Sequence, residues 1–263
     1  MILNKDLRIK IVELIFNAKE GHLPSSLSIV DIINVLYSKI LKFNAKNINS
    51  LNRDYFILSK GHGCVAFYVV LEKFNIIKKK DLLKYGSKNS ILGGHPDCTQ
   101  IPGVESSTGS LGHGFPTAVG VSLGLNIQKK KNKVYCLLGD GECQEGTIWE
   151  AANIATNRKL SNICSIIDWN GSAKQLMPIE NIAAKWKAFG WNVHLADGHN
   201  EKDLVKKFNL FLKNKNQKPT VIIAKTIKGK GIPFMQGHGK WHHKVPNLEE
   251  LKLIKKILKN GKN

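Results

Sequence analysis

The chain has 263 residues, 42% of them hydrophobic, and a formal net charge of +20. That length and apolar fraction suit a globular protein with a full core, and no uninterrupted apolar run reaches the length of a membrane span. Five scattered cysteines with no CxxC pair argue against a disulfide framework or a zinc site and for a reducing cytoplasm. The positive charge invites a nucleic-acid reading. Against it, three of forty basic residues are arginines (Arg8, Arg53, Arg158), and no basic stretch is interleaved with aromatics. Solvated lysine faces are therefore expected, with no nucleic-acid and no membrane partner. An acidic partner or an anionic substrate remains compatible with the charge.

The N-terminal MILNKDLRIKIVELIF reads as an amphipathic helix rather than a signal peptide. Helical periodicity runs through Leu7, Val12, Leu14 and Ile15, then through Leu27, Val30, Ile33, Leu36 and Tyr37, with GHLPSS between them as a turn-rich loop. A short strand at Tyr55–Leu58 is followed by SKGHG and an apolar helix over 65–74. A glycine-rich loop from Gly93 to Gly114 feeds a helix of small residues over 117–125. Strand 134–138, a helix near 147–157, strands 163–168 and 192–196, helix 201–213 and strand 220–225 come next. A loop-rich tail (226–246) and a final helix close the chain. Strand–helix alternation predicts an α/β fold: one doubly wound, mostly parallel sheet with helices on both faces.

In such sheets ligands sit beyond the carboxyl ends of the strands. The run VYCLLGDGECQEG stops at Gly139-Asp140-Gly141, and IIDWNGS ends the next strand at Asn170. Thirty residues separate Asp140 from Asn170, the length of a βαβ crossover. Asp-Gly is also a common turn. The alternative is a hard, oxygen-liganded cation such as Mg2+, shared with a phosphate that the glycines and the next helix N-terminus would admit. Several of the nine histidines sit in glycine-rich loops: His22, His62, His95, His113 and the pair His242-His243. Singly each reads as a surface or capped-loop histidine. As a set they suggest a polar pocket of proton-shuttling or hydroxyl-binding imidazoles. HExxH, the P-loop pattern and a GxSxG elbow are all absent. The five tryptophans read as packing groups.

The landmarks GHLPSSLSIVDI, LSKGHG, LGGHPD, PGVESSTGSLGHG, LLGDGECQEG, IIDWNG, AFGW, TIKGKGIPFM and WHHKVPNLEEL occur in that order. In them the chain resembles the N-terminal, thiamine-diphosphate-binding subunit of a split transketolase, from the first helix to about residue 244. The resemblance implies a single thiamine-diphosphate-binding domain over 1–263 and a cytoplasmic enzyme that moves a two-carbon ketol unit from a ketose to an aldose. It implies that Asp140, Asn170 and the Ser172 carbonyl bind Mg2+ (or Ca2+). His62 and His242 would approach the diphosphate and the reaction centre. Gly139, Gly141, Gly109 and Leu111 would lie against the cofactor. His22 and His95 would meet donor-sugar hydroxyls, and Glu145 would join a carboxylate network between active sites. It further implies a separate pyrimidine-binding C-terminal subunit that supplies an activating glutamate, in an α2β2 assembly. The substrates would be small sugars or sugar phosphates.

Four features depart from the family pattern. The run SAKQLMPIENIAAKW after Asn170-Gly171 is short, His113 replaces a glutamine, His243 replaces a glycine, and Lys60 stands where full-length enzymes often carry asparagine. Rival readings are a component of a deoxyxylulose-phosphate synthase or of a 2-oxoacid dehydrogenase, and, from another class, a non-catalytic basic binding protein.

Overall fold

The computed structural model describes residues 4–175, 177–237, 239, 241 and 244–261. Its centre is a five-stranded sheet in the order β1-β2-β3-β5-β4, formed by Tyr55–Leu58, Val134–Gly139, Ile163–Trp169, Asn192–Asp197 (β4) and Thr220–Lys225 (β5). All four pairings are parallel. β2, β3 and β5 are almost wholly buried apolar runs, as strands covered on both faces must be. The predicted strands match these to within a residue at either end.

Side chains alternate between two cores. Tyr135, Leu137, Cys164, Ile166, Ile222 and Ala224 face one; Val134, Cys136, Leu138, Ile163, Ile167, Val221 and Ile223 face the other. The first core is covered by α1 (Lys5–Ala18), α2 (Leu23–Val35), α3 (Cys64–Lys73), α8 (Glu201–Leu212) and α9 (Leu248–Asn260). The second is covered by α5 (Gly114–Ile127), α6 (Gly146–Asn157) and α7 (Ile182–Ala188). Topology explains the division. The steps β2 to β3 and β3 to β4 run one way along the sheet, and β4 to β5 steps back. Right-handed crossovers then place α8 on the face opposite α6 and α7, which is where Leu204, Phe208 and Phe211 pack.

Three expectations need correction. GHLPSS is not a loop throughout: α2 starts at Leu23, with Pro24 in the first turn, where its missing N–H costs nothing. Two helices went unread, the one-turn α4 (Lys79–Leu82) and α7. The latter is seven residues long and follows its N-cap Asn181, whose side chain accepts from the Ala184 N–H at 3.1 Å. Among the described residues no helix is long and apolar enough to cross a membrane.

Candidate functional site

α2 is buried along its whole length although it carries Ser25, Ser26, Ser28, Asp31 and Asn34. Buried polar groups need partners: Asp31 and Asn34 find theirs on neighbouring elements, and Ser28 turns toward the strand ends. Ser28 Oγ donates to Asp168 Oδ2 at 2.7 Å, and Lys60 Nζ pairs with the same oxygen at 2.5 Å. Thr226 Oγ1 donates to Oδ1, and Asn170 Nδ2 donates to Oδ2 at 2.8 Å. Asp168 thus gathers α2, the turn after β1, the end of β3 and the loop after β5. Burial raises its pKa, but Lys60 and the hydrogen bonds outweigh that and hold it below the ordinary carboxylate range.

Above this hub lies a cavity of about 410 Å3. His22 and Ser25 line it from the start of α2, Lys60 and His62 from the turn after β1, and Gly109 and Leu111 from the glycine-rich loop. Gly139, Asp140, Gly141 and Glu142 close it at the end of β2. Asn170, Ser172 and Ala173 follow β3, and Lys228 enters from the loop after β5. Gly139 sits beside Asp168 in register, which brings Asp140 and Asn170 to one strand edge.

Asp140 is 3% exposed. Its Oδ1 accepts from Gly141 N at 2.8 Å, and Oδ2 faces Ala173 N at 3.5 Å. Burial and the neighbouring Asp168 charge raise its pKa, so a carboxylate here carries an electrostatic load that a cation would relieve. Asn170 Oδ1 accepts from Ser172 N at 2.9 Å and keeps a second lone pair. Among the described residues no cluster of three His, Cys, Asp or Glu side chains could hold a metal unaided. One carboxylate and one amide oxygen are a hard-oxygen pair that needs further oxygen ligands, as phosphate supplies for Mg2+.

The glycines fit the same reading. A methyl at Gly61 would strike the Thr108 carbonyl at 2.7 Å, and one at Gly114 would strike Ser59 Cα at 2.6 Å, so internal packing dictates both. At Gly139 and Gly141 the nearest atoms to an added Cβ stand at 3.8 and 4.0 Å. Neither has a positive φ. The protein's own atoms demand glycine at neither position; the space belongs to the cavity.

His22 and His62 stack edge to face with centroids 5.3 Å apart. Burial, then the charges of Lys60 and neighbouring groups, lowers the pKa of His62 to about 2, so the ring is neutral at physiological pH. His95 is exposed at the rim and touches Gly109, where an added Cβ would meet its ring at 3.1 Å. Glu145 is exposed outside the cavity, at the N-cap of α6. His242, and with it His243, lies outside the described residues.

Two groups of the site, Asp168 and Glu142, were not singled out in the sequence. Glu142, 1% exposed, accepts from Ser59 Oγ and from Gly112 N and Gly139 N, the latter two at 3.1 Å each, and so ties the glycine-rich loop to two strand ends. Ser25 lines the cavity from the first turn of α2. Lys228, 3% exposed, donates to Ser172 Oγ at 3.2 Å. Burial, then repulsion from Lys60, lowers its pKa. A polar residue inside a predicted buried element is the one sequence signal that marks Asp168. The tryptophans are packing groups: Trp149, Trp186 and Trp191 cluster around Phe115 on the other face of the sheet.

Residues 2–261 match the family model for the transketolase thiamine diphosphate binding domain. The chain is 40% identical to an apulose-4-phosphate transketolase subunit of Actinobacillus succinogenes, over 97% of this chain and 94% of that one. It is 38% identical to the corresponding apulose-4-phosphate transketolase subunit of Phocaeicola vulgatus, over 92% and 88%. Among solved structures, transketolase from Campylobacter jejuni superposes with a TM-score of 0.89 at 32% identity, over 96% of this chain and 41% of that chain. The chain therefore spans about two fifths of the solved transketolases it matches. A doubly wound sheet, a strand-end aspartate paired with an asparagine one crossover later, and these matches together place the chain in the transketolase family, as a component that carries the thiamine diphosphate binding domain.

Proposed function

We propose that the chain is the thiamine-diphosphate- and Mg2+-binding subunit of a two-chain transketolase, transferring a two-carbon ketol unit from a ketose donor to an aldose acceptor. The observation that carries this is the buried Asp140, raised above the ordinary carboxylate range beside the Asn170 amide, with two glycines opening onto the same cavity. Asp140 Oδ, Asn170 Oδ1 and the Ser172 carbonyl would hold the cation, with Gly139 and Gly141 leaving room for a diphosphate. When bound, thiamine diphosphate supplies the electron sink that carbon–carbon cleavage beside a carbonyl requires.

The protein's part is to bind, orient and keep protons in place. His62, neutral through burial, offers a hydrogen bond without adding charge. Leu111 and Gly109 present an apolar surface to the cofactor. His22, which lines the cavity, and His95, against Gly109 at its edge, would meet hydroxyls of a sugar. His242 is assigned to the reaction-centre side by its motif alone. Glu145, exposed beside the glycine-rich loop, is free to face a second protein. A separate pyrimidine-binding chain supplies the activating glutamate, and the assembly is α2β2. The two relatives' names point to a phosphorylated sugar as the substrate class.

Calorimetry with thiamine diphosphate and Mg2+ tests the reading, with and without the partner chain. Metal-dependent binding is expected in the wild type, strengthened by the partner and lost in Asp140→Ala. Ketol transfer is expected only with the partner. Equal binding by Asp140→Ala, or robust transfer by the chain alone, would overturn the proposal.

A further inference from the structure

A second polar network lies behind the cavity, on the far side of the loop that carries Lys228. His199 follows β4 and is 9% exposed. Its Nε2 accepts the backbone N–H of Ile227 at 2.9 Å. An acceptor at Nε2 puts the ring proton on Nδ1, which lies 2.7 Å from Asp31 Oδ2 and donates to it. Asp31 is fully buried in α2 and also binds the buried Arg8 guanidinium of α1 and Asn4 Nδ2. Arg8 NH1 donates in turn to Leu27 O at 2.6 Å and to Lys230 O at 3.1 Å.

The consequence is geometric. Both ends of the segment Ile227–Lys230 are gripped by one network, the first by its N–H through His199 and the last by its carbonyl through Arg8. Between them Gly229 N donates to Pro24 O at 3.0 Å, and Lys228 Nζ reaches Ser172 beside the strand-end ligands. We infer that His199, oriented by Asp31 and Arg8, is a positioning residue that fixes the Ile227–Lys230 segment so that Lys228 stands in the cavity. His199 lines no part of that cavity and acts only through the backbone it holds. The inference rests on the cavity being the cofactor site only for its effect on binding; the strap itself is independent of that.

The test has three readouts, two of which need no cofactor. In the wild type, nitrogen NMR of the imidazole should show the neutral Nδ1–H tautomer at His199; an Nε2–H tautomer would overturn the proposal. In His199→Phe, which keeps a ring but neither accepts nor donates, amides of 226–232 should exchange at least about fivefold faster, the scale of one hydrogen bond. Those of β2 and β3 should be unchanged. Unaltered or uniformly raised exchange would overturn it. In calorimetry with Mg2+ and thiamine diphosphate, His199→Phe and Lys228→Met should each weaken binding, and the double variant should lose no more than Lys228→Met alone. Losses that multiply would show that His199 does not act through Lys228. A wild type that binds no cofactor would remove the functional reading and leave the tautomer and exchange to decide the strap.

Discussion

The two faces of the sheet are built from different materials. On the face of α5, α6 and α7 the core gathers around tryptophans, and among the described residues no ion pair enters it: Trp186 and Trp191 meet at 4.7 Å between centroids, with Trp149, Phe115 and Phe189 around them. The face of α1, α2 and α3 is equally buried but threaded with charge, from Arg8–Asp31 to Lys60–Asp168, ending at the cavity. An apolar core gains from every buried methylene, whereas a buried ion pair returns little beyond its desolvation cost. The difference therefore separates tasks: both faces supply apolar packing, the tryptophan face nothing else, and the charged face also holds groups in fixed positions at the strand ends.

The largest expected effect lies on the tryptophan face. Trp186 is fully buried, and Trp186→Ala should cost about 3–5 kcal/mol through lost burial and the cavity left behind. The denaturant midpoint should fall accordingly. Cofactor affinity of the folded fraction should stay at the wild-type value. A variant with normal stability and lost binding would break the division of labour.

The charged face should show itself in the pH dependence of stability. His62 has its pKa lowered to about 2 in the folded chain from the ordinary 6.5. Below pH 6.5 the unfolded ring takes up a proton that the folded ring refuses, so stability contributed by the neutral ring is lost as pH falls. The slope reaches at most about 1.4 kcal/mol per pH unit. Asp140, raised, works in the opposite sense: its folded carboxyl takes up a proton before the unfolded one does, which favours folding as pH falls toward its titration. Comparing His62→Gln with wild type isolates the histidine. Between pH 6.5 and 4.5 the variant's midpoint should fall less steeply. Parallel curves would show that His62 is protonated in the folded chain.

How much of this was legible in the sequence follows the range of the interactions. β2, β3 and β5 announce themselves because strands covered on both faces must be short, continuous apolar runs. Asp140 and Asn170 were readable because strand ends and glycines mark the crevice locally. Asp168 was not: its partners Lys60 and Ser28 lie 108 and 140 residues away, and nothing local says that a lone carboxylate in IIDW collects them. Glu142 was passed over for the same reason, since its bond to Ser59 spans 83 residues. In α7, tertiary packing around Trp186 forms a seven-residue helix in a segment too short to show periodicity.

The smallest expected change is also the sharpest test of where packing ends and the site begins. Gly61 and Gly141 follow consecutive strand ends at the same crevice. Alanine at Gly61 would drive a methyl into the Thr108 backbone, which cannot yield without moving the glycine-rich loop. Alanine at Gly141 meets nothing closer than 4.0 Å and needs no unusual φ. Gly141→Ala should leave the melting temperature of the empty chain within experimental error or raise it slightly, because a less flexible unfolded chain is worth about 0.4–1 kcal/mol. Its methyl would then stand where a diphosphate should lie, so binding of Mg2+ and thiamine diphosphate should weaken while stability does not. Unchanged affinity would move the diphosphate away from the Gly139-Asp140-Gly141 turn. A fall in stability would show that the turn is glycine for the fold's sake and not for a ligand's.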